Sequence, residues 1–148
     1  GGTSALQAAA AAGHARVVRQ LLAAGSAVEH RDKAGCTVAH YAASSGSPAC
    51  LRALHKHKSD LNAEIVGFGW TPLHQAANAS HPHAVSALLH LGARGNTQDA
   101  RGWTALHVAT HQLGSGAGGC TCKECTRRHA RRALVVRALV RGGVRSDL

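Results

Sequence analysis

The chain has 148 residues, of which 17 are Lys or Arg and 7 are Asp or Glu, so its formal net charge is +10 with histidine neutral. Seven acidic residues offer few candidates for acid–base catalysis. The sequence also has no nucleophile elbow, phosphate-binding loop, dinucleotide fingerprint or H-E-x-x-H motif. We therefore predict that the chain is not an enzyme. No apolar run of 18 residues and no signal-peptide pattern occur, and the five cysteines form no paired framework. We therefore expect an intracellular protein, cytoplasmic or nuclear, without a membrane span.

The first element in chain order is a phrase that the chain restates three more times. Its clearest version, residues 69–77, reads G-W-T-P-L-H-Q-A-A. The third position of the phrase is occupied in turn by Ser4, Thr37, Thr71 and Thr104, so the spacings are 33, 34 and 33 residues. A repeat of this period indicates an array of small structural units.

Each unit is predicted to form two antiparallel helices. Thr71 can accept hydrogen bonds from the first free N–H groups of a helix, and Pro72 stands where a missing N–H costs nothing. Gly13 and Gly46 supply the left-handed residue that ends the first helix of their units. A second apolar stripe follows, which in the first unit consists of Val17, Val18, Leu21 and Leu22.

This phrase, with its Val and Leu pairs and closing Gly, resembles the ankyrin repeat family. The resemblance implies an all-α ankyrin-repeat solenoid of four helix-turn-helix repeats, about 2–34, 35–68, 69–101 and 102–148, with β-turn finger loops that project from the stack. It also implies that the T-P-L-H histidines make hydrogen bonds between repeats. We treat 1–148 as one domain and, since it has no Met and opens inside a repeat, expect it to be part of a larger protein.

The finger between the second and third repeats departs from its neighbours. Residues 64–70 read E-I-V-G-F-G-W, which is one residue longer, and Val66 replaces the aspartate of the other fingers, Asp32 and Asp99. The loop therefore places four apolar residues at a normally polar tip, namely Ile65, Val66, Phe68 and Trp70.

The resemblance implies that a partner is held along the concave groove and the fingers. We predict a non-catalytic scaffold that binds a protein or peptide, without a cofactor or small-molecule substrate. Large aromatic residues beside an Arg are common hot spots of such contacts. The predicted partner-binding residues are Ile65, Phe68, Trp70, Asn78, Arg101, Trp103, His111 and Gln112. The alternative for the tryptophans is that each merely packs on the adjacent finger.

An 18-residue insertion, about 113–130, separates the two helices of the fourth repeat. After a Gly-rich start it contains residues of the types and spacings that tetrahedral zinc uses, namely Cys120, Cys122, Cys125 and His129. A second, distant ligand pair is missing, so we predict no metal site. A reduced mobile loop is favoured, and zinc or a redox-sensing disulfide stay open as alternatives.

Positive charge concentrates at the carboxyl end, where residues 120–148 contain 8 Lys or Arg and 2 acids. We expect a helix over 127–141 with Leu134, Val135, Ala138 and Leu139 inward and its arginines outward. The alternative function is polyanion binding, to nucleic acid or anionic lipid, through Arg127, Arg128, Arg131 and Arg132. No aromatic residue interleaves this run, which favours a protein partner, an acidic one if charge guides it. Such arginines can also simply form a solvated face.

A further alternative makes the chain a substrate. Asn62 and Asn96 each follow a Leu by eight residues, at a position where the resemblance implies that asparagine can be hydroxylated. The intact mass of the protein from its native cell tests this.

Overall fold

The computed structural model describes residues 4–114 and 123–144, and these residues form eight helices without a strand. The helices are α1 Ala5–Ala11, α2 Ala15–Ala23, α3 Val38–Ser44, α4 Pro48–Lys56, α5 Pro72–Asn78, α6 Pro82–His90, α7 Ala105–Gly114 and α8 Lys123–Arg141. Within the same residues, no helix is both long and apolar enough to cross a membrane.

The first helix of every repeat begins directly after the predicted Ser or Thr, because that residue and one three positions later satisfy free N–H groups. In the first repeat, the Ser4 N–H donates to the Gln7 side-chain oxygen at 2.8 Å. In the third, the Thr71 N–H donates to Nδ1 of His74 at 3.2 Å. The predicted helix starts are confirmed.

Two rows of helices make up the stack. The inner row contains α1, α3, α5 and α7, the outer row contains α2, α4, α6 and α8, and each helix packs on its neighbour in the row and on its partner in the repeat. Small residues at the inner contacts, such as the fully buried Ala76 and Ala77, let the helices approach closely. Large aliphatic residues, such as Leu51 and Leu88, fill the space between the rows.

Left-handed residues end most helices, as predicted. Gly13 and Gly46 have φ values of 71° and 70°, and the equivalent residue of the third repeat is Ser80, at 60°. Two positions after the end of each second helix the left-handed residue is again a Gly, except in the second repeat, where Lys58 has φ 59°. A residue with a side chain is sterically disfavoured at positive φ, so the backbone is strained at Ser80 and Lys58.

Buried histidines join consecutive repeats. Nε2 of His40 donates to the Trp70 carbonyl at 3.0 Å, and Nε2 of His74 donates to the Trp103 carbonyl at 2.9 Å. Because Nδ1 of each ring accepts from a backbone N–H, both rings are neutral. Burial lowers the pKa of both histidines and outweighs the opposite effect of the carbonyl bonds. The structural role predicted for them is confirmed.

The fourth repeat corrects two expectations. Helix α8 begins at Lys123 rather than near residue 127, so the later part of the insertion lengthens it to 19 residues, against 9 in the other outer helices. Val135 and Leu139, one turn apart, are fully buried, whereas Leu134 faces away from this stripe and is exposed. Val17 is exposed in the same way beside the buried Val18. Residues 115–122 lie outside the described part.

Candidate functional site

Three fingers connect the repeats, and each is closed by a backbone hydrogen bond across its base. We call residues 31–36, 64–70 and 98–103 the first, second and third finger. The closing N–H groups belong to Asp32, Ile65 and Asp99, which donate to the carbonyls of Cys36, Trp70 and Trp103.

Ile65 therefore occupies the structural position of the two aspartates, and the sequence alignment that placed Val66 there is wrong by one residue. The extra residue is accommodated inside the turn, where Phe68 and Gly69 both donate to the Ile65 carbonyl. Ile65 is only 9% exposed, so the prediction that it belongs to an exposed partner-binding tip is also wrong. Its buried side chain lies close to Gly35 of the first finger.

Asp99 is the centre of the third finger. One of its oxygens, Oδ1, accepts from the backbone N–H groups of Arg101 and Trp103 at 2.8 and 2.9 Å, and Oδ2 accepts from the Trp70 indole at 3.1 Å. Burial raises the pKa of this carboxyl, but the hydrogen bonds from Trp103, Arg101 and Trp70 outweigh burial, so the pKa lies below its usual value. Asp99 is therefore ionised at neutral pH although its side chain is 1% exposed.

Asp32 plays the same part in the first finger. Oδ1 accepts from the N–H groups of Ala34 and Cys36, and the Tyr41 hydroxyl donates to Oδ2. This hydrogen bond, together with burial and the charge of Asp32, raises the pKa of Tyr41 to about 12. Burial and the same charge raise the pKa of the Cys36 thiol, so Cys36 is not activated as a nucleophile.

Neighbouring fingers are linked as well as closed. The Arg31 guanidinium donates to the carbonyl of Glu64 at 2.8 Å, which joins the first finger to the second. The Ala100 N–H donates to the Phe68 carbonyl at 3.0 Å, and the Trp70–Asp99 bond runs beside it. The three fingers therefore form one continuous and pre-organised surface.

The aromatic residues of this surface lie against cationic or imidazole groups. The Arg101 guanidinium lies 4.5 Å from the centre of the Trp103 ring, a cation–π distance. On the same indole, the His111 ring packs at 4.9 Å and 51°. One repeat earlier, the rings of Trp70 and His74 are nearly parallel with centres 6.4 Å apart. Trp70 and Trp103 are both half-buried.

Among the residues that the structure describes, the most exposed large apolar side chains are on the second finger. Val66 and Phe68 are 79% and 69% exposed, and the Arg101 side chain on the next finger is 58% exposed. We call Val66, Phe68, Arg101, Trp103 and His111 the finger surface. The ion-pair partner of Arg101, Asp99, is buried, whereas the Arg101 side chain itself is exposed.

The structure brings together most of the predicted partner-binding residues. Five of them lie on or beside the finger surface, namely Phe68, Trp70, Arg101, Trp103 and His111. Asn78 is half-buried at the end of α5, and the side chain of Gln112 lies outside the described part. Sequence reasoning missed Asp99, which links Trp70 to the third finger. The signal was present, because aspartate occurs at this place in two fingers of the three.

The other predicted sites are only partly described. On α8, Arg127 and Arg131 are exposed and Arg132 is half-buried, while the side chain of Arg128 is not described. No cluster of three potential metal ligands occurs in the described residues, but Cys120, Cys122 and the Cys125 side chain lie outside them, so the zinc question stays a prediction. The Asn62 side chain accepts from the Arg94 N–H at 2.7 Å, and its hydroxylation is untested.

Comparison with known proteins gives a consistent result. A sequence model of ankyrin repeats, three copies, matches residues 1–65 and 61–118. Nuclear factor NF-kappa-B p105 subunit of Gallus gallus is 34% identical over 113 residues, 74% of this chain and 12% of that protein. SH3 and multiple ankyrin repeat domains protein 2 of Homo sapiens is 34% identical over 109 residues, 72% of this chain and 6% of that protein. The chain thus spans only a small part of the length of these curated relatives.

Proposed function

Because this chain belongs to the ankyrin repeat family, whose repeats generally mediate protein–protein interaction, we propose that it is a non-catalytic scaffold that binds a peptide or protein partner on the finger surface. The observation that carries the proposal is the exposure of Val66 and Phe68 on a loop held rigid by its neighbours. The free thiols of Cys36 and Cys50 fit a reducing compartment, so we place this activity in the cytoplasm or nucleus.

Burial of an exposed Phe and Val by a partner is favourable, at about 25 cal/mol for each Å² of apolar surface removed from water. The gain is largest where the surface is already ordered, since little conformational entropy is then lost on binding. The backbone bond from Ala100 to Phe68 and the side-chain bond from Trp70 to Asp99 supply that order.

Charge favours a partner that offers a carboxylate beside an apolar side chain. The exposed Arg101 guanidinium is already oriented by Trp103 and Asp99, and it keeps free N–H groups for an incoming acid. An apolar residue of the partner against Phe68 and an acidic residue against Arg101 would be held by adjacent fingers. This pairing supports an acidic, partly apolar peptide as the ligand class.

Selection from a random peptide library against the whole chain tests the proposal. We expect enriched peptides to combine acidic and large apolar residues, and to lose most of their affinity for the Phe68→Ser variant. Leu134→Ser is the matched control, because it removes an exposed apolar side chain from α8 instead of a finger. Peptides that bind Phe68→Ser as tightly as the wild type would remove the finger surface from consideration.

The second candidate function is polyanion binding through α8. It is supported by the exposure of Arg127 and Arg131, one turn apart on the same side of the helix. Neutralising both would weaken binding to phosphates at low salt, and an affinity that does not fall with salt would reject this candidate. A folded protein with acidic surface would not show the same steep dependence on salt.

A further inference from the structure

The net charge of the chain is located entirely on the outer row of helices. Helices α2, α4, α6 and α8 contain eleven Lys or Arg residues and one acid, Glu124, whereas the rest of the chain contains six of each. The fingers and inner helices are therefore balanced overall, and the outer row carries the whole +10. Helices α2, α4 and α6 contain no acidic residue at all.

This face also contains an open groove, which crosses α2, α4 and the end of α6 and has a volume of about 510 Å³. We call it the outer groove. Its lining residues are Arg19, Ala49, Arg52, Ala53, His55, Lys56 and Leu91. Ala53 is buried and forms part of the floor, while the four basic side chains are exposed.

A second depression adjoins the first. It has a volume of about 340 Å³, lies between α4 and α6, and adds His83 and His90 to the lining. Arg52 and Leu91 line both depressions, so the two adjoin at these residues. The two depressions thus form one track across the outer helices, and its Lys and Arg residues are Arg19, Arg52 and Lys56.

We propose that the outer groove binds the sugar-phosphate backbone of double-stranded nucleic acid. The Lys and Arg residues of the outer groove are Arg19, Arg52 and Lys56, and the planar guanidinium of an arginine matches phosphate oxygens in pairs. Neighbouring helices lie about 10 Å apart, so α2, α4 and α6 extend over roughly 20 Å, which corresponds to about six base pairs. Phosphate contacts of this kind position a duplex without reading its sequence.

Two features favour a duplex over other polyanions. Single strands are held by stacking of bases on aromatic rings, but the aromatic residues Tyr41, Phe68, Trp70 and Trp103 all lie outside the outer row. Membrane-bound amphipathic helices insert an apolar face, and in α4 and α6 that face is already buried in the stack by residues such as Leu51 and Leu88. The exposed residues of α2 and α4 include the cations Arg16, Arg19, Arg52 and Lys56 and no carboxylate.

This inference deepens the second candidate function but moves the site from α8 to α2 and α4. It does not involve the finger surface. The two candidates can therefore be separated by variants on different helices, and both can be separated from peptide binding by variants on the fingers.

The experiment is a titration of the whole chain with a labelled duplex of about 16 base pairs, read by fluorescence anisotropy at several salt concentrations. The Arg52→Gln/Lys56→Gln pair should weaken binding and make the slope of log K against log salt shallower by about 1.8, since each lost phosphate contact contributes about 0.9. Lys33→Gln/Arg94→Gln is the matched control, with the same charge change at exposed sites outside the outer row. It should leave the slope unchanged.

Several results would overturn the inference. If the Arg52/Lys56 and Lys33/Arg94 double variants change the slope equally, binding depends on the net charge of the chain and the outer groove is not the binding site. If only Arg127→Gln/Arg131→Gln weakens binding, α8 is the site and the outer groove is not. Tighter binding to single strands of the same sequence, to vesicles with anionic lipid, or equal competition by polyglutamate would each contradict a duplex backbone as the ligand. Circular dichroism of every variant confirms that it is folded.

Discussion

The indole of Trp70 and the carboxylate of Asp99 bind the second finger to the third, with Nε1 3.1 Å from Oδ2. The same carboxylate holds the turn of its own finger through two backbone N–H groups. One buried charge thus fixes both the shape of the third finger and its position relative to the second. The exposed side chains of Phe68 and Arg101 owe their relative placement to this arrangement.

We expect Asp99→Asn to lower the free energy of unfolding by about 1–3 kcal/mol, because the amide replaces an acceptor oxygen with a donor group in a buried site. Chemical denaturation at neutral pH measures the change. Trp70→Phe keeps an aromatic ring but removes the indole N–H and part of the half-buried bicyclic side chain, so we expect a loss of about 1–3 kcal/mol.

The double variant Asp99→Asn/Trp70→Phe tests whether the two residues interact directly. If the indole and the carboxylate interact directly, the combined loss will be smaller than the sum of the two single losses. Simple additivity would show that each residue acts through other neighbours.

The buried histidines predict that the free energy of unfolding depends on pH. The pKa of His74 is lower in the folded chain than its usual 6.5, so the unfolded chain binds more protons between the two values. The contribution to stability is complete above about pH 6.5 and is lost as the pH falls through the lowered folded pKa. His40 contributes with the same sign.

The first repeat suggests the variant that tests this explanation. Gln7 replaces the histidine there, and its side chain donates to the carbonyls of His30 and Cys36 at 3.1 and 3.0 Å. We therefore expect His40→Gln/His74→Gln to fold and to lose stability less steeply between pH 7 and 5, as measured by denaturation at each pH. His83→Gln, at an exposed site, should keep the wild-type dependence. An unchanged profile in the double variant would assign the acid effect to other groups.

The sequence predicted the repeats because their requirements are local. A residue such as Thr71 caps a helix through contacts three positions away, and Gly46 ends one through its own φ angle. The register of the second finger was harder to predict. Ile65 and Val66 are both apolar, and the sequence does not show which of their N–H groups closes the loop. The extension of α8 was missed since the glycine-rich start of the insertion hides where its helix begins.

The register of the second finger can be tested by two neighbouring truncations. Ile65→Ala removes a buried side chain and should cost about 2 kcal/mol of unfolding free energy. Val66→Ala removes an exposed one and should change stability by less than about 0.5 kcal/mol. Thermal or chemical denaturation of both variants gives the comparison. A larger loss of stability for Val66→Ala than for Ile65→Ala would show that Val66, not Ile65, is the inward residue.

The strain at Lys58 predicts a stabilising substitution. Its φ of 59° lies in the region where a side chain collides with the backbone, and its own side chain is exposed. Lys58→Gly should therefore raise the free energy of unfolding by about 0.5–1 kcal/mol, after allowance for the greater freedom of Gly in the unfolded chain. Lys56→Gly, two residues earlier and inside α4, should have the opposite sign and lower stability by up to about 1 kcal/mol. Because both variants remove one lysine, charge cannot explain a difference between them. Equal destabilisation by the two glycines would show that the left-handed conformation at residue 58 carries no strain.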